Sequence, residues 1–250
     1  MDMLKYYSVT HINHVLCNPL SEEKHGELLG LFKMAPGQKT LEIASGKGAF
    51  TIGLAQRYGV RALGVDISPY FIEEARARLS DRAPDAEVEF RCMNGADYRP
   101  GEPGTFDLTA CIGASWIFKG HRGTLDFLAA AARPGGFIVA GEPYWKKEPS
   151  AEYLAFSGQN RDDFQTHRKN VETGEEMGLG LLHVVESSTD DWNRYEGLQW
   201  LAADEYARSH PGDPDLPEIL EKVGRGRREY LTWGRETLGW AIYVFRKPGP

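Results

Sequence analysis

The sequence has little cysteine, no long apolar run and no excess of basic charge. Its three cysteines, Cys17, Cys92 and Cys111, are widely separated and odd in number. No CxxC or Cys/His ligand spacing occurs, so neither a disulfide framework nor a zinc site is indicated, and no metal is expected. No segment approaches the length of a transmembrane helix, and the start, MDMLKYYSVTHINHV, lacks the uninterrupted apolar stretch of a signal peptide. A reducing, cytoplasmic setting without a membrane partner is the expectation. Lysine and arginine total 29 against 36 acidic residues, a formal net charge of -7. That argues against a nucleic-acid partner, which normally requires a basic face. Arg225, Arg227 and Arg228 form a small basic group, read as a solvated helix face. Internal repeats and low-complexity tracts are absent as well.

What is present is a chain of 250 residues, enough for one substantial core with insertions and hardly for two domains. Residues 1–35 read as an N-terminal cap, with Ser21 as a helix N-cap and Leu28, Leu31 and Phe32 on one face. Strands and helices then alternate: strand 39–44, helix 49–57, strand 61–65, and a helix over 69–80 with Pro69 in its first turn. A strand over 87–91 follows, then the nearly continuous apolar strand Phe106–Ile112, the pattern of a strand covered on both faces. A helix over 123–132 is stopped by Arg133-Pro134-Gly135-Gly136, and a strand covers 137–141. This alternation predicts an α/β fold with a doubly wound, mostly parallel sheet. The pattern changes after residue 142. A polar, helix-like stretch with a helix near 151–158 leads to a strand over 181–186. About fifty residues of amphipathic helix follow, rich in Trp and Tyr, and a last strand spans 240–246. The single domain thus divides into a cap (1–35), a cofactor-binding core (36–147), acceptor-side helices and lid including strand 181–186 (148–235), and a last strand and tail (236–250).

The most informative stretch is LEIASGKG, residues 41–48. A buried strand breaks into a small-residue turn and enters a helix at once; the next strand ends on Asp66, eighteen residues past Gly48. Strand, glycine turn, helix and closing acid form a nucleoside-binding half of an α/β sheet. Ala49 satisfies a relaxed dinucleotide fingerprint, so the glycines alone leave a nicotinamide cofactor open. A phosphate-binding P-loop is excluded because Lys47 is not followed by Ser or Thr. Glu42, inside the first strand, tips the balance: a carboxylate there suits a ligand that brings a cation and repels a pyrophosphate.

With these features the chain resembles the class I S-adenosylmethionine-dependent methyltransferases of small-molecule type. The resemblance rests on LEIASGKG, on GVDIS around Asp66, on MNGAD at 93–97, on FDLTACIGA at 106–114 and on RPGGFIVAGEP at 133–143. It implies a Rossmann-like sheet of seven strands with an antiparallel last strand, a helical cap before it and a helical insertion between the last two strands. It also implies S-adenosylmethionine as cofactor and S-adenosylhomocysteine as product. Ala44, Ser45, Gly46 and Gly48 would bring the turn against the methionine moiety, with Glu42 orienting it. Asp66 would accept both ribose hydroxyls, Ile67 would pack on adenine, and Asn94, Gly95 and Ala96 would meet the adenine edge. The Cys111 carbonyl would take the cofactor ammonium. Two departures stand out. Ala44 replaces the family's first glycine, and Asn94 replaces an acid.

Ligands of open α/β sheets sit beyond the C-terminal strand ends, which places residues 114–121 and 142–145 at the expected reaction centre. His14, His121 and Glu142 are the candidate bases there; a lone histidine is more often structural than catalytic. Tyr7, His11, Trp116, Tyr144 and Trp145 are candidate walls for the acceptor, with Tyr6 beside Tyr7 in the cap. Trp192, Tyr195 and Tyr206 recur at near-helical spacing, which reads first as core packing and second as the inner face of a lid. A lid between the last two strands favours a small-molecule acceptor. RNA or protein methylation is the alternative, and a non-catalytic cofactor-binding protein a further one. Gly113-Ala114-Ser115-Trp116 stands where amino-methylating DNA enzymes carry an Asn/Asp/Ser-Pro-Pro-aromatic motif, and Asn18-Pro19 lies before the first motif instead.

Overall fold

A computed structural model describes residues 1–249. Seven strands form one sheet: β1 (Lys39–Ile43), β2 (Arg61–Asp66), β3 (Val88–Cys92), β4 (Phe106–Ile112), β5 (Ala132–Trp145), β6 (Gly180–Glu186) and β7 (Leu238–Arg246), in the order β3-β2-β1-β4-β5-β7-β6. All pairings are parallel except those of β7, which runs antiparallel to both β5 and β6. The fold expected from the alternation and from the resemblance is the fold observed.

Side-chain alternation divides the strands between two cores. Leu108, Ala110 and Ile112 of β4 join Val139, Ile242 and Val244 on one face. Leu41, Ile43, Cys111, Ile138, Ala140 and Tyr243 pack on the other. The helix α3 (Ala49–Tyr58) springs from the glycine turn, with Gly48 at its N-cap in the left-handed region, φ +74°. A β-carbon there would meet the Phe90 ring at 2.5 Å, so only glycine fits. The helix α4 (Pro69–Arg82) is capped by Ser68, whose side chain accepts from Phe71 N–H, and has Pro69 in its first turn.

Several boundaries differ from the sequence reading, most of all that of β5, which runs on to Trp145 where residue 141 is the expected end. The helix α5 (His121–Ala131) starts two residues earlier than expected. Arg133–Gly136, read as a stop, belongs to β5: the register shifts between Phe106 and Leu108 absorb it as an irregularity in the ladder.

The cap and the late segments add α1 (Met3–Thr10), α2 (Glu22–Gly30), α6 (Ala151–Ser157), α7 (His167–Glu176), α8 (Thr189–Ser209) and α9 (Leu216–Glu229). Of these, α7 packs on the sheet face against β5, β6 and β7, while α1, α2 and α8 border the space beyond the C-terminal strand ends. Ser188 and Asp191 close a capping box at the start of α8. Val9 of α1 packs with Ala203 of α8 and with Ile219 and Val223 of α9, and Tyr6 joins this small core. Lys5 bridges Asp213 and Asp215 at 2.8 and 2.7 Å, and Lys24 pairs with Asp191 at 2.6 Å. Cap and lid therefore make one layer. Of the small basic group, Arg227 and Arg228 are exposed, while Arg225 donates to the Phe156 carbonyl.

Candidate functional site

Between that layer and the strand ends lies a cavity of about 730 Å³, within the roughly 300–1,000 Å³ of small-molecule clefts. One end is built by the loops after β1, β2 and β3. Glu42, Ala44, Ser45, Gly46, Lys47, Asp66, Ile67, Asn94, Gly95 and Ala96 all border it, with Phe71 beside them. Gly48 supports the turn from behind, against Phe90. The other end lies under the cap and lid, where Leu20, Leu28, Trp192, Tyr195, Trp240 and Ile242 form a mostly apolar wall.

The turn itself is held by carboxylates. Asp66 Oδ2 accepts from Gly46 N–H and Oδ1 from Ser68 N–H, both at 2.8 Å. Each oxygen keeps a second lone pair for a ligand hydroxyl. Burial pushes the Asp66 carboxyl upward, against the pull of those amides. Glu42 Oε2 accepts from both the backbone and the hydroxyl of Thr51, tying β1 to the first turn of α3. Burial raises the Glu42 carboxyl to about 8. Ala44 sits at φ +56°, a conformation that suits the glycine it replaces. Ile67 is 52% exposed and borders the cavity. Asn94 caps the turn that follows β3 by accepting from Ala96 N–H at 2.9 Å, so the Ala96 amide is already engaged.

Lys47 is a residue the sequence reading used only to exclude a P-loop. Its side chain is fully buried and pairs with Glu74 at 2.6 Å while donating to the His11 carbonyl at 2.8 Å. It clasps the cap to the glycine turn. Cys17 lies over the same turn: a β-carbon on Gly46 would be 3.4 Å from its Sγ.

Several expected site residues lie elsewhere. The Cys111 side chain is buried in the core on the opposite sheet face, while Ile112, Gly113 and Ala114 border the cavity; the role expected of Cys111 belongs to its carbonyl and not to that side chain. Glu142 and His121 do not reach the cavity. They face each other behind it, with Glu142 Oε2 and His121 Nδ1 3.9 Å apart and neither otherwise partnered. Ser115 donates to Glu142 Oε1, and His121 Nε2 meets the Asn170 carbonyl. Burial raises Glu142 to about 8 and lowers His121 to about 4. Both are therefore driven toward their neutral forms, and the pair is not an ion pair. Tyr144 and Trp145 are also off the cavity: the Tyr144 hydroxyl donates to Glu186, and Trp145 Nε1 donates to the Arg161 carbonyl. His14 lines a separate narrow crevice and meets the Tyr195 carbonyl through Nε2.

Tyr7, His11 and Trp116 do border the cavity. The Thr10 hydroxyl donates to the Tyr6 carbonyl and so accepts from His11 Nδ1–H, leaving His11 Nε2 as acceptor for the Tyr195 hydroxyl at 2.9 Å. Burial lowers His11 to about 3, so the ring is neutral. Asn18, His25, Trp192 and Trp240 complete the wall. Only their convergence in space marks them, because they come from four segments far apart in sequence.

A doubly wound sheet with a glycine turn, an acid closing β2 and a deep cavity at the strand ends defines a nucleoside-cofactor enzyme of the methyl-transferring kind. Comparison with known proteins agrees. A methyltransferase-domain family model matches residues 40–136. The chain is 29% identical to the uncharacterized protein YjhP of Escherichia coli over 98% of both chains. It superposes with a TM-score of 0.89 on a SAM-dependent methyltransferase from Thiobacillus denitrificans crystallised with S-adenosyl-L-homocysteine, at 30% identity over 98% of this chain and 99% of that one. A SAM-dependent methyltransferase from Geobacter sulfurreducens, also with S-adenosyl-L-homocysteine, gives 0.90 at 28% identity over 96% and 97%. The chain belongs to the S-adenosylmethionine-dependent methyltransferases. No helix among the described residues is long and apolar enough to cross a membrane.

Proposed function

We propose that the protein transfers a methyl group from S-adenosylmethionine to a small-molecule acceptor, by in-line displacement inside the cavity. The observation that carries this reading is the cavity's continuity. Its two carboxylates, Glu42 and Asp66, stand at the glycine-turn end, and an apolar chamber closed by cap and lid adjoins them. The residues fit the cofactor. Asp66 has free lone pairs for ribose hydroxyls, Ile67 offers an exposed apolar face for adenine, and Glu42 offers a carboxylate to the ammonium. Because the Ala96 amide is engaged by Asn94, the adenine edge falls to Gly95 and to the Asn94 side chain. The ammonium would take a backbone carbonyl at the end of β4, from Cys111 as the resemblance implies or from Ile112 or Gly113 beside it.

When bound, the cofactor supplies a sulfonium methyl; the acceptor's lone pair forms the new bond to carbon as the carbon–sulfur pair returns to sulfur. The protein's part is to align the two reactants and exclude water. His11 is held neutral with its Nε2 lone pair taken by Tyr195, so it orients the wall and does not act as a strong base. An acceptor atom that carries a proton gives it up to solvent when the chamber opens for product release. A chamber roofed by α1 and α8 admits a small molecule and shuts out a polymer. Three free cysteines also support work in the reducing cytoplasm. The test is thermal melting with S-adenosylmethionine, S-adenosylhomocysteine and NAD separately. Both methionine-derived ligands should raise the melting temperature and NAD should not; stabilisation by NAD alone would overturn the reading.

A further inference from the structure

A second, smaller cavity of about 200 Å³ lies among α6, α8, α9 and the turn that follows α9. Tyr153, Trp192, Glu196, Gln199, Glu229 and Tyr230 border it. Trp192 also borders the larger cavity, so the two spaces adjoin at this residue. Past Glu229 the chain widens into a π-turn, Tyr230–Gly234, a feature that recurs at functional sites. Much of the wall is aromatic. The Trp192 and Tyr230 rings lie stacked, with centroids 6.1 Å apart and planes 22° apart, and Tyr153 stacks on Trp233. The Tyr230 hydroxyl donates to Asn193 Oδ1 at 2.8 Å, which fixes the ring against α8.

Charge in this cavity is of one sign. Glu196 and Glu229 both border it, and no lysine, arginine or histidine does. Glu229 has the Tyr153 hydroxyl and the positive charge of Arg225 beside it. Glu196 makes no hydrogen bond or ion pair among the described residues, and its oxygens are not among the polar atoms sealed from water. Burial, with the charge of Glu229 added, pushes its carboxyl up to about 7. Stability alone would be served better by an uncharged side chain at position 196. An anion in the cavity would add to the repulsion, and a neutral guest would leave it. A divalent metal ion takes more oxygen ligands than two carboxylates and an amide supply, and no group of three His, Cys, Asp or Glu side chains is placed to hold one among the described residues. A small organic cation suits both parts of the wall, because carboxylates pair with its charge and aromatic faces attract it. We propose that this cavity is a binding site for a small alkylammonium ion, with Glu196 and Glu229 as its counter-charges and Tyr153, Trp192 and Tyr230 as its aromatic wall. The site is separate from the methyl-donor end and does not depend on the methyl-transfer reading.

The test is calorimetry on the full-length protein with S-adenosylhomocysteine present, which keeps the Glu42 and Asp66 end occupied. Three probes of similar size are titrated: isobutylammonium, isobutanol and isobutyrate. Isobutylammonium should bind at least about tenfold more tightly than either of the others. Glu196→Gln and Glu229→Gln should each weaken it by about tenfold or more, the loss of one charge-assisted contact, while S-adenosylhomocysteine affinity stays within about twofold of wild type. Without the amine, Glu196→Gln should melt no lower than wild type, which separates a lost site from a lost fold. Isobutanol or isobutyrate binding as tightly, no binding of isobutylammonium at about 10 mM, or unchanged isobutylammonium affinity in both variants would overturn the proposal. So would loss of binding in Glu196→Gln together with a melting temperature several degrees below wild type, which would mark Glu196 as a structural residue. Failure of S-adenosylhomocysteine to bind would count against the methyl-donor reading alone, because the Glu196 and Glu229 variants locate the amine in either case.

Discussion

Ala44 holds a left-handed backbone that its methyl group disfavours, at φ +56°. Relief of that strain is worth roughly 1–2 kcal/mol, less about 0.4–1 for the extra freedom glycine gains in the unfolded chain. Ala44→Gly should therefore stabilise the protein by about 0.5–1 kcal/mol, measured as a higher urea midpoint with an unchanged slope. Glu42 is the residue whose chemistry the cofactor should change most. Burial holds its carboxyl at about 8, so at pH 7 it is largely protonated, and a bound ammonium would pull it back to the carboxylate. Binding of S-adenosylhomocysteine at pH 7 should release close to one proton, read as a dependence of calorimetric enthalpy on buffer ionisation, and affinity should rise with pH up to about 8. Glu42→Gln should abolish the release. At Asp66, loss of the ribose contact in Asp66→Ala should weaken cofactor binding by roughly 1.5–3 kcal/mol; unchanged affinity would remove Asp66 from the site. Residues of this kind were legible in the sequence because they fall within one contiguous strand–turn–helix signal. The same stretch did not reveal Lys47, whose partners Glu74 and His11 lie in other segments.

At the scale of the element, strand alternation explains which expectations failed. The side chains of Glu142 and Tyr144 point to the same face as Ile138 and Ala140, whereas Pro143 points with Val139 toward the cavity. Cys111 and Ile112 divide in the same way. Residues 142–145 are expected just past the fifth strand, but β5 runs on to Trp145; their face was readable from the period of two once the cavity side was known. Trp145 fails for another reason, since it turns beneath Tyr153 and Phe164. The pair behind the cavity gives a pH prediction. The Glu142 carboxyl is raised in the fold, so its contribution is fully present below about 4.5 and is lost as pH climbs through about 8. His121 has the opposite sign: lowered to about 4, its contribution is present above 6.5 and is lost as pH falls through about 4. Glu142→Gln, which keeps an acceptor for Ser115, should melt progressively higher than wild type as pH rises from 5 to 8, by on the order of a few degrees at the alkaline end. A constant difference across that range would show that Glu142 does not titrate there.

At the scale of the molecule, the cap and the late helices close one chamber although nearly two hundred residues separate His11 from Tyr195 in sequence. No pattern in the sequence announces such a meeting, because each segment shows only its own amphipathic face; the aromatic residues of α8 therefore read first as core and only second as the inner face of a lid. Trp192 and Tyr195 border the cavity, as the second reading has it, while Tyr206 packs against the small core, as the first has it. Lys47 joins this layer to the glycine turn. Lys47→Met should loosen it, so that amide exchange across residues 11–20 rises at least about tenfold while exchange in β1 and β4 holds. The sheet and the methyl-donor end were legible early, since parallel strands and glycine turns carry local signals. The acceptor chamber is a property of the assembled layers. The most direct measurement of the whole account is a crystal structure of the protein with S-adenosylhomocysteine. The ribose hydroxyls should lie on Asp66, the amino group toward Glu42 and the strand-end carbonyls, and the sulfur should face the chamber lined by Asn18 and Trp192. Density that places the ligand outside this cavity, or with its ribose away from Asp66, would contradict it.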